Sequence, residues 1–453
     1  MYCGDDVEAV VGDVGTSCSK FGLAGEDTPT LVVPTLVGKK PPVPVHPPSQ
    51  FGGAAAPADA ATSPYVLGDL YHARDVDVLH PIEACAVANW EALEQIWKYA
   101  FESLHVDPKQ HPVITSAASC FANDALQNAA NRDAEKYLEM MFEKFEVPAF
   151  YMAKDAVLDA FAFGRSCALI AEVGAGATRV VPVFDGYHLQ RPAQYSSVGC
   201  NQLSAYLEYL VAKKNPTIEV RPRCCFTRKL NAHGKLETIA LPTELITPPL
   251  MPGSYLKFMK SEIFRYMREA TCTTSLAALT NDSTDDSSAM TAIQQRYELP
   301  DGKTVVLERE CNEVAEFLLH PKNFADGGGA IVKTEQHAAA ATKTLAKGLH
   351  KMLYDAVQLC DADLRRDMLS NIILCGGGSL TNGLTERLHA ELTAMVPSTF
   401  KVRFTNVMKI ERQFSVFIGG SILASLGSFQ QLWVSKREYE EVGAHAICAQ
   451  RFS

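Results

Sequence analysis

No uninterrupted apolar run approaches the roughly 18 residues that a membrane-spanning helix needs, so no spanning segment is expected. Basic charge is not in excess either. The 42 Lys and Arg stand against 52 Asp and Glu, a formal net charge of −10, which argues against direct, phosphate-driven DNA binding. An acidic surface suits basic partners such as histones, a weak indication that many acidic proteins share. The 13 cysteines are odd in number and scattered, which fits buried thiols in a reducing compartment better than a disulfide framework. The 12 histidines show no ligand spacing and Cys224-Cys225 has no partner pair, so no structural zinc site is expected. The opening residues 1–8 are acidic, so neither a signal peptide nor a transit peptide is expected. What is present is an ordinary globular composition, 47% apolar and 21% charged. At 453 residues the chain amounts to about three domain equivalents, or two large lobes. That length can bury roughly three quarters of its unfolded surface without staples.

Patterning divides the chain. Residues 7–13 read as a short strand ending in a glycine-rich turn, with a returning strand from about Ser19 to Ala24. Eight prolines fall in residues 34–64 among Ala, Gly and Ser, a composition that predicts a mobile loop. Asn89 is an expected N-cap, and Trp90, Leu93, Ile96, Trp97, Ala100, Phe101 and Leu104 form one apolar helical stripe. Helices are expected over 131–145 and 153–163, then a buried strand 167–171 and its return 179–184. The middle, about 199–330, reads as less regular and includes a polar loop at 281–288. A helix over 336–358, a strand 371–375, a helix near 384–392 and a buried helix over 417–432 complete the chain.

The pattern of strand, acid, glycine-rich turn and strand occurs twice, about 160 residues apart. A repeated unit implies two similar lobes facing each other, whose hairpin amides could hold a polyphosphate from both sides. Familiar nucleotide loops fail. The glycine required five residues before Gly302-Lys303-Thr304 is Tyr297, and the closing glycine after Gly376-Gly377-Gly378 is Thr381. In the first hairpin, Asp13 could act near a metal ion, the amides of Gly15 to Cys18 could face phosphate oxygens, and Lys20 could reach the same charge. Alone, such a turn is more often structural; paired with the second hairpin and the 376–383 glycine turn, a site is the better reading.

These residues also carry a resemblance. Asp13 to Gly25 resembles the first phosphate hairpin of actin. Tyr297-Glu-Leu-Pro-Asp-Gly302, Cys360-Asp-Ala-Asp-Leu-Arg-Arg-Asp367 and Phe417-Ile-Gly-Gly-Ser-Ile-Leu-Ala-Ser-Leu-Gly-Ser-Phe-Gln-Gln431 are similar to actin stretches. The likeness spans nearly the whole chain except about 39–64 and 212–252. Within that superfamily, Pro148 to Ser166, Asp185-Gly-Tyr-His-Leu-Gln190 and Ser425-Leu-Gly-Ser-Phe429 resemble the actin-related protein 4 family. The implied fold is α/β, a duplicated, ribonuclease H-like, two-lobed actin fold with four subdomains around a nucleotide cleft. The implied division is 1–34, 80–162 and 415–453 for the small-lobe core and 35–79 for its outer part. The large-lobe core would be 163–198 and 331–414, with 199–330 a divergent insertion.

The resemblance also implies a nucleotide site. Asp13, Gly15, Thr16, Ser17 and Lys20 match the first phosphate hairpin, and Gly174 and Gly176 the second. Arg268 and Glu269 match ribose and base contacts. Gly376, Gly377, Gly378 and Leu380 match the adenosine turn. ATP or ADP with magnesium is the implied cofactor, Asp13 meeting the metal through water; an empty cleft is the other outcome. The departures sit where hydrolysis would occur. Glu172 and Ala175 replace two aspartates that hold the metal's water shell, Asp155 replaces the water-orienting glutamine, and Arg179 replaces a histidine. Gln413 replaces the lysine by the adenine, and Ser17 a hairpin glycine. Phosphoryl transfer rests on positioning and charge stabilisation. Ala175 accepts no hydrogen bond, and Glu172 is one methylene too long, where a misplacement of about 1 Å can cost about a hundredfold in rate. Asp155 would set a negative charge near the terminal phosphate, at a cost on the order of 1 to 4 kcal/mol at about 4 Å. Equally, Asp155 and Arg179 could form an ordinary ion pair.

The same resemblance implies function. Its nuclear family pairs with actin on a helix of a scaffold ATPase or acetyltransferase subunit (the helicase-SANT-associated helix). A non-catalytic subunit of chromatin-remodelling or histone acetyltransferase complexes, serving transcription regulation and DNA repair, is the expected role. Residence would be nuclear with some cytoplasmic protein, and histones or the nucleosome are further expected partners. The alternative is an ATP-hydrolysing, filament-forming cytoskeletal protein. A small-molecule kinase on the same fold would need a catalytic aspartate facing a pocket, and none stands out. Self-polymerisation is not expected, because the docking loop matches 39–64 and the second contact element matches 323–330, whose tip is glycine-rich. An apolar cleft near Tyr137, Met141, Val416 and Leu423 would take the partner helix, unless these residues are simple core.

Overall fold

Val10–Val14 (β1) is buried on both faces, as a central strand must be. In a computed structural model that describes residues 8–41, 63–83, 85–120, 124–230, 236–248, 250–277, 294–321, 347–405 and 408–452, β1 pairs antiparallel with Cys18–Leu23 (β2), and β2 with Leu31–Pro34 (β3). On its other side β1 runs parallel to Val113–Ala117 (β4), which is followed by Ala149–Lys154 (β5) and a short edge strand Val434–Ser435. The second sheet repeats the arrangement. Ala168–Val173 (β6) pairs antiparallel with Thr178–Phe184 (β7) and parallel with Ile372–Cys375 (β8). The duplication expected from the glycine hairpins is therefore a duplication of strand pairing as well.

Helices cover both sheets. Trp90–Leu104 (α1) starts at Asn89, whose side chain accepts the Ala92 amide at 3.0 Å. Its stripe of Leu93, Ile96, Trp97, Ala100 and Phe101 packs with Val10, Phe21 and Val113. Leu93, Ile96 and Phe101 each contribute about 1.5–3 kcal/mol through burial. Asp124–Glu139 (α2) and Asp155–Ala162 (α3) follow, then Cys200–Lys214 (α4), Gly253–Thr271 (α5) and Glu310–Leu319 (α6). Leu349–Leu359 (α7), Leu384–Met395 (α8) and Lys409–Ser425 (α9) complete the set used below. No helix among the described residues is long and apolar enough to cross a membrane.

Several expectations change. The helix expected over 131–145 begins at Asp124 and ends in a π turn, Met140–Lys144. The one expected from 153 begins at Asp155, because Ala153 and Lys154 complete β5 beside β4. The helix expected over 417–432 begins at Lys409 and stops at Ser425. Polar residues on its exposed face interrupt the apolar pattern that located it. The middle region is more ordered than its pattern suggested, holding α4, α5 and α6, because long-range packing buries Tyr255, Phe264 and Met267 of α5. Of the helix expected over 336–358, Leu349 to Gln358 lies within α7; residues 336–346, like 281–288 and 323–330, lie outside the described residues.

The outer ends of the lobes touch. Residues 37–39 and 65–66, at the edges of the proline-rich stretch, pair as strands, and Val37–Lys39 also pairs with Asp77–Leu79. Leu36, Leu70, Val76 and Val78 share one apolar cluster with Cys224, Cys225, Met251, Tyr255 and Phe258. Tyr71 Oη donates to Glu262 at 2.6 Å, and the Val78 amide donates to Ser254 Oγ at 3.1 Å. The stretch expected as a mobile loop is thus packed at both described ends; residues 42–62 lie outside the described residues.

Candidate functional site

Each hairpin pairs an acid with a base across its two strands. Asp13 lies opposite Lys20, with Lys20 Nζ 2.7 Å from Asp13 Oδ2. Ser116, near the end of β4, donates to Asp13 Oδ1 at 2.8 Å. Burial opposes the Lys20 charge, but the Asp13 carboxylate beside it outweighs that, and the ammonium is held well above its ordinary range. Gly15 closes the turn, its amide donating to Cys18 O at 3.3 Å.

In the second hairpin Glu172 lies opposite Arg179, and their side chains are ion-paired. The Gly174 amide donates to Ala177 O at 3.0 Å, while Gly174 O and Ala175 O accept the Cys200 and Asn201 amides at the start of α4. The turns approach closely: a Cβ on Gly176 would stand 2.9 Å from Thr16 Oγ1, so a side chain there would push Thr16 aside. Thr16 and Gly176 are thereby brought together, as a two-sided phosphate clamp requires.

Arg179 links the two acids. Its guanidinium bridges Glu172 and Asp155, with Nη1 2.5 Å from Asp155 Oδ2, and its side chain is 9% exposed. Asp155, the first residue of α3, uses its other oxygen to accept from Ser119 Oγ at 2.5 Å and from the Ser119 amide at 3.0 Å. The ordinary ion pair left open by the sequence is therefore the one formed, and Glu172 joins it. Burial, with Asp155 and Asp13 nearby, pushes Glu172 up to about 7 despite Arg179. Arg179 itself is buried and held strongly protonated by Asp155 and Glu172.

The remaining positions adjoin the second hairpin. Gly376 follows β8 with φ of 80° and donates its amide to Arg412 O at 2.9 Å. Gly378 packs on Val173 and Cys200, Gly377 is exposed and Leu380 half-buried. On α5, Arg268 is buried and its Nε donates to Ser204 Oγ at 3.1 Å, while Glu269 is half-exposed. The α5 end reaches the same turn, the Thr274 amide donating to Asn382 O at 2.8 Å. Gln413 is exposed on α9 and Ser17 lies at the first turn. The hairpin amides, Lys20 and the glycine turn suit a nucleotide's phosphates. Ala175, and the Arg179 bridge over Asp155 and Glu172, do not suit a metal-held attacking water.

Sequence reasoning missed Ser116 and Ser119, which hold the two acids, because their role rests on the parallel pairing of β4 with β1 and β5. It also missed Asp159 on α3, a fully buried carboxylate neither of whose oxygens has a hydrogen-bond partner. An acid within an apolar helical stripe was the available signal. The proposed helix groove is not found at the residues named for it. Tyr137 and Met141 belong to one closed core and Leu423 and Val416 pack in another, because the sheet between them fills the space.

A family model described as actin matches residues 4–453. Proteins called actin-related protein 4 are similar over their whole length. The one from Arabidopsis thaliana is 34% identical over 99% of this chain and 99% of its own. That from Oryza sativa subsp. japonica is 33% identical, with 99% of each covered. That from Yarrowia lipolytica is 31% identical, covering 98% of this chain and 95% of its own.

Proposed function

Because this chain belongs to the actin family, we propose that it is a nucleotide-binding clamp without efficient hydrolysis, acting as a structural subunit. Its place would be a nuclear chromatin-remodelling or histone acetyltransferase complex, paired with actin on a scaffold helix. One observation carries the non-catalytic part: Arg179 is engaged by both Asp155 and Glu172; by the resemblance, Asp155 and Arg179 match positions beside the attacking water and Glu172 one that holds the metal's water shell. A cation spent on two carboxylates stabilises less of the charge that develops on a transferring phosphoryl group, and carboxylates in that position repel it. ATP or ADP retention is supported by Lys20, the facing turns and the glycine turn after β8, with magnesium near Asp13 through water. When bound, magnesium would screen phosphate charge. The nuclear assignment, the pairing with actin and contact with histones rest on the resemblance to the actin-related protein 4 family.

Two measurements test this. Purified protein should retain adenine nucleotide, released on denaturation, while turning over Mg-ATP far more slowly than conventional actin; matching turnover overturns the non-catalytic reading. The tagged protein should recover actin together with a remodelling ATPase or acetyltransferase scaffold. Recovery of cytoskeletal factors alone, or pelleting of the pure protein at micromolar concentration in Mg-ATP, overturns the structural-subunit reading.

A further inference from the structure

Three segments distant in sequence converge at the C-terminal end of α6. His320 caps α6, His350 lies in the first turn of α7, and Glu391 lies on α8. The two imidazole centroids are 4.6 Å apart. One nitrogen from each ring and a Glu391 carboxylate oxygen all fall within 4.8 Å of one another. The backbone builds this approach. Gly348 lies so close to Leu319 that a Cβ would fall 1.6 Å from the Leu319 carbonyl oxygen, which sets the start of α7 against the end of α6.

One buried nitrogen of each ring lacks a hydrogen-bond partner, His320 Nε2 and His350 Nδ1. His320 Nε2 is 3.8 Å from Glu391 Oε1 and 3.6 Å from Glu316 Oε1, too far for hydrogen bonds. Arg387 binds Glu316 bidentately, at 3.1 and 3.0 Å, and its Nε donates to Glu391 Oε1 at 2.8 Å. One arginine thus stands against two carboxylates beside two imidazoles. Arg387 also pins the Glu391 carboxylate, as groups behind metal ligands do.

We propose that His320, His350 and Glu391 form a binding site for a divalent transition metal of the zinc class, with water as the fourth ligand. Two imidazoles and one carboxylate are a donor set that zinc accepts, whereas magnesium and calcium favour oxygen throughout. His320 and Glu391 are 27% and 26% exposed, so one side stays open to the metal and its water. The ligand atoms close by about 1 Å to meet an ion at about 2.0–2.2 Å. The bound ion would clip α6, α7 and α8 together within the large lobe, independently of the nucleotide reading.

The test uses the full chain, stripped by chelator and titrated with zinc by calorimetry and with cobalt(II) by absorption. One saturable equivalent is expected, with the visible bands of tetrahedral cobalt and no thiolate charge-transfer band, and zinc should raise the melting temperature. His350→Ala and Glu391→Gln should each weaken binding by at least about tenfold to a hundredfold. His389→Ala, on the same helix but beside Phe404, should leave it unchanged. Should His350→Ala not fold, Glu391→Gln and His320→Gln read the same site. Failure to bind one equivalent, a thiolate band, or binding indifferent to these variants overturns the proposal.

Discussion

Replacing Arg179 by Met removes one cation from between two buried carboxylates. Asp155 and Glu172 are 9% and 19% exposed, so solvent screens the loss weakly. Breaking a buried pair this way costs about 3–5 kcal/mol, chiefly because uncompensated charge stays inside. The sign with pH follows from Glu172, whose folded value, about 7, lies above its ordinary 4.5. A raised carboxylate loses stability as pH climbs from the ordinary value through the folded one. Arg179 holds Glu172 down, so its loss raises Glu172 further, and the Arg179→Met defect should grow as pH climbs past about 7 and be smaller at pH 6, where Glu172 carries its proton in both proteins. Combining it with Glu172→Gln and Asp155→Asn removes the stranded charges while Ser119 keeps an acceptor, and most of the loss should return. The assay is urea unfolding followed by fluorescence of the three tryptophans, read as a midpoint shift at constant slope. The reasoning is refuted if Arg179→Met shifts the midpoint no more than Arg437→Ala, which breaks an exposed pair with Glu441, or if the triple variant is as unstable as the single one.

Asp159 is raised well above the ordinary carboxylate value by burial, with Glu172 adding to it. Wild-type stability should therefore fall with rising pH above about 4, by at most about 1.4 kcal/mol per unit from this one group. Asp159→Asn should flatten that part of the profile and stabilise the protein at pH 8; an unchanged profile counts against a buried, unpartnered charge. Tyr255→Ala opens the apolar cluster joining the outer lobe ends and removes its hydroxyl's bond to Tyr71 O at 2.8 Å. If the cleft holds nucleotide, release of a fluorescent ATP analogue by stopped flow should accelerate several-fold, and an unchanged rate would show that this seam does not gate the cleft. Restoring the family pattern with Asp155→Gln, Glu172→Asp, Ala175→Asp and Arg179→His together should raise ATP turnover above wild type, measured as phosphate release. Equal rates would place the block elsewhere.

What the residues determined alone was local or repeated. The Asn89 cap and the apolar stripe of α1 were legible because capping and helical period act within one or two turns. The two glycine hairpins were legible because a strand, an acid and a turn recur in the same order, and the structure repeats even the pairing of acid to base. What tertiary structure alone decided was which distant groups share a charge. Nothing in the spacing told whether Arg179 would serve Asp155 or a phosphate; the crossing of α3 beside β6 and β7 chose Asp155 and Glu172 together. The outer seam and the His320–His350–Glu391 cluster were hidden for the same reason. Their members come from separate elements, and apolar packing of whole helices sets their distances, which no short-range pattern encodes.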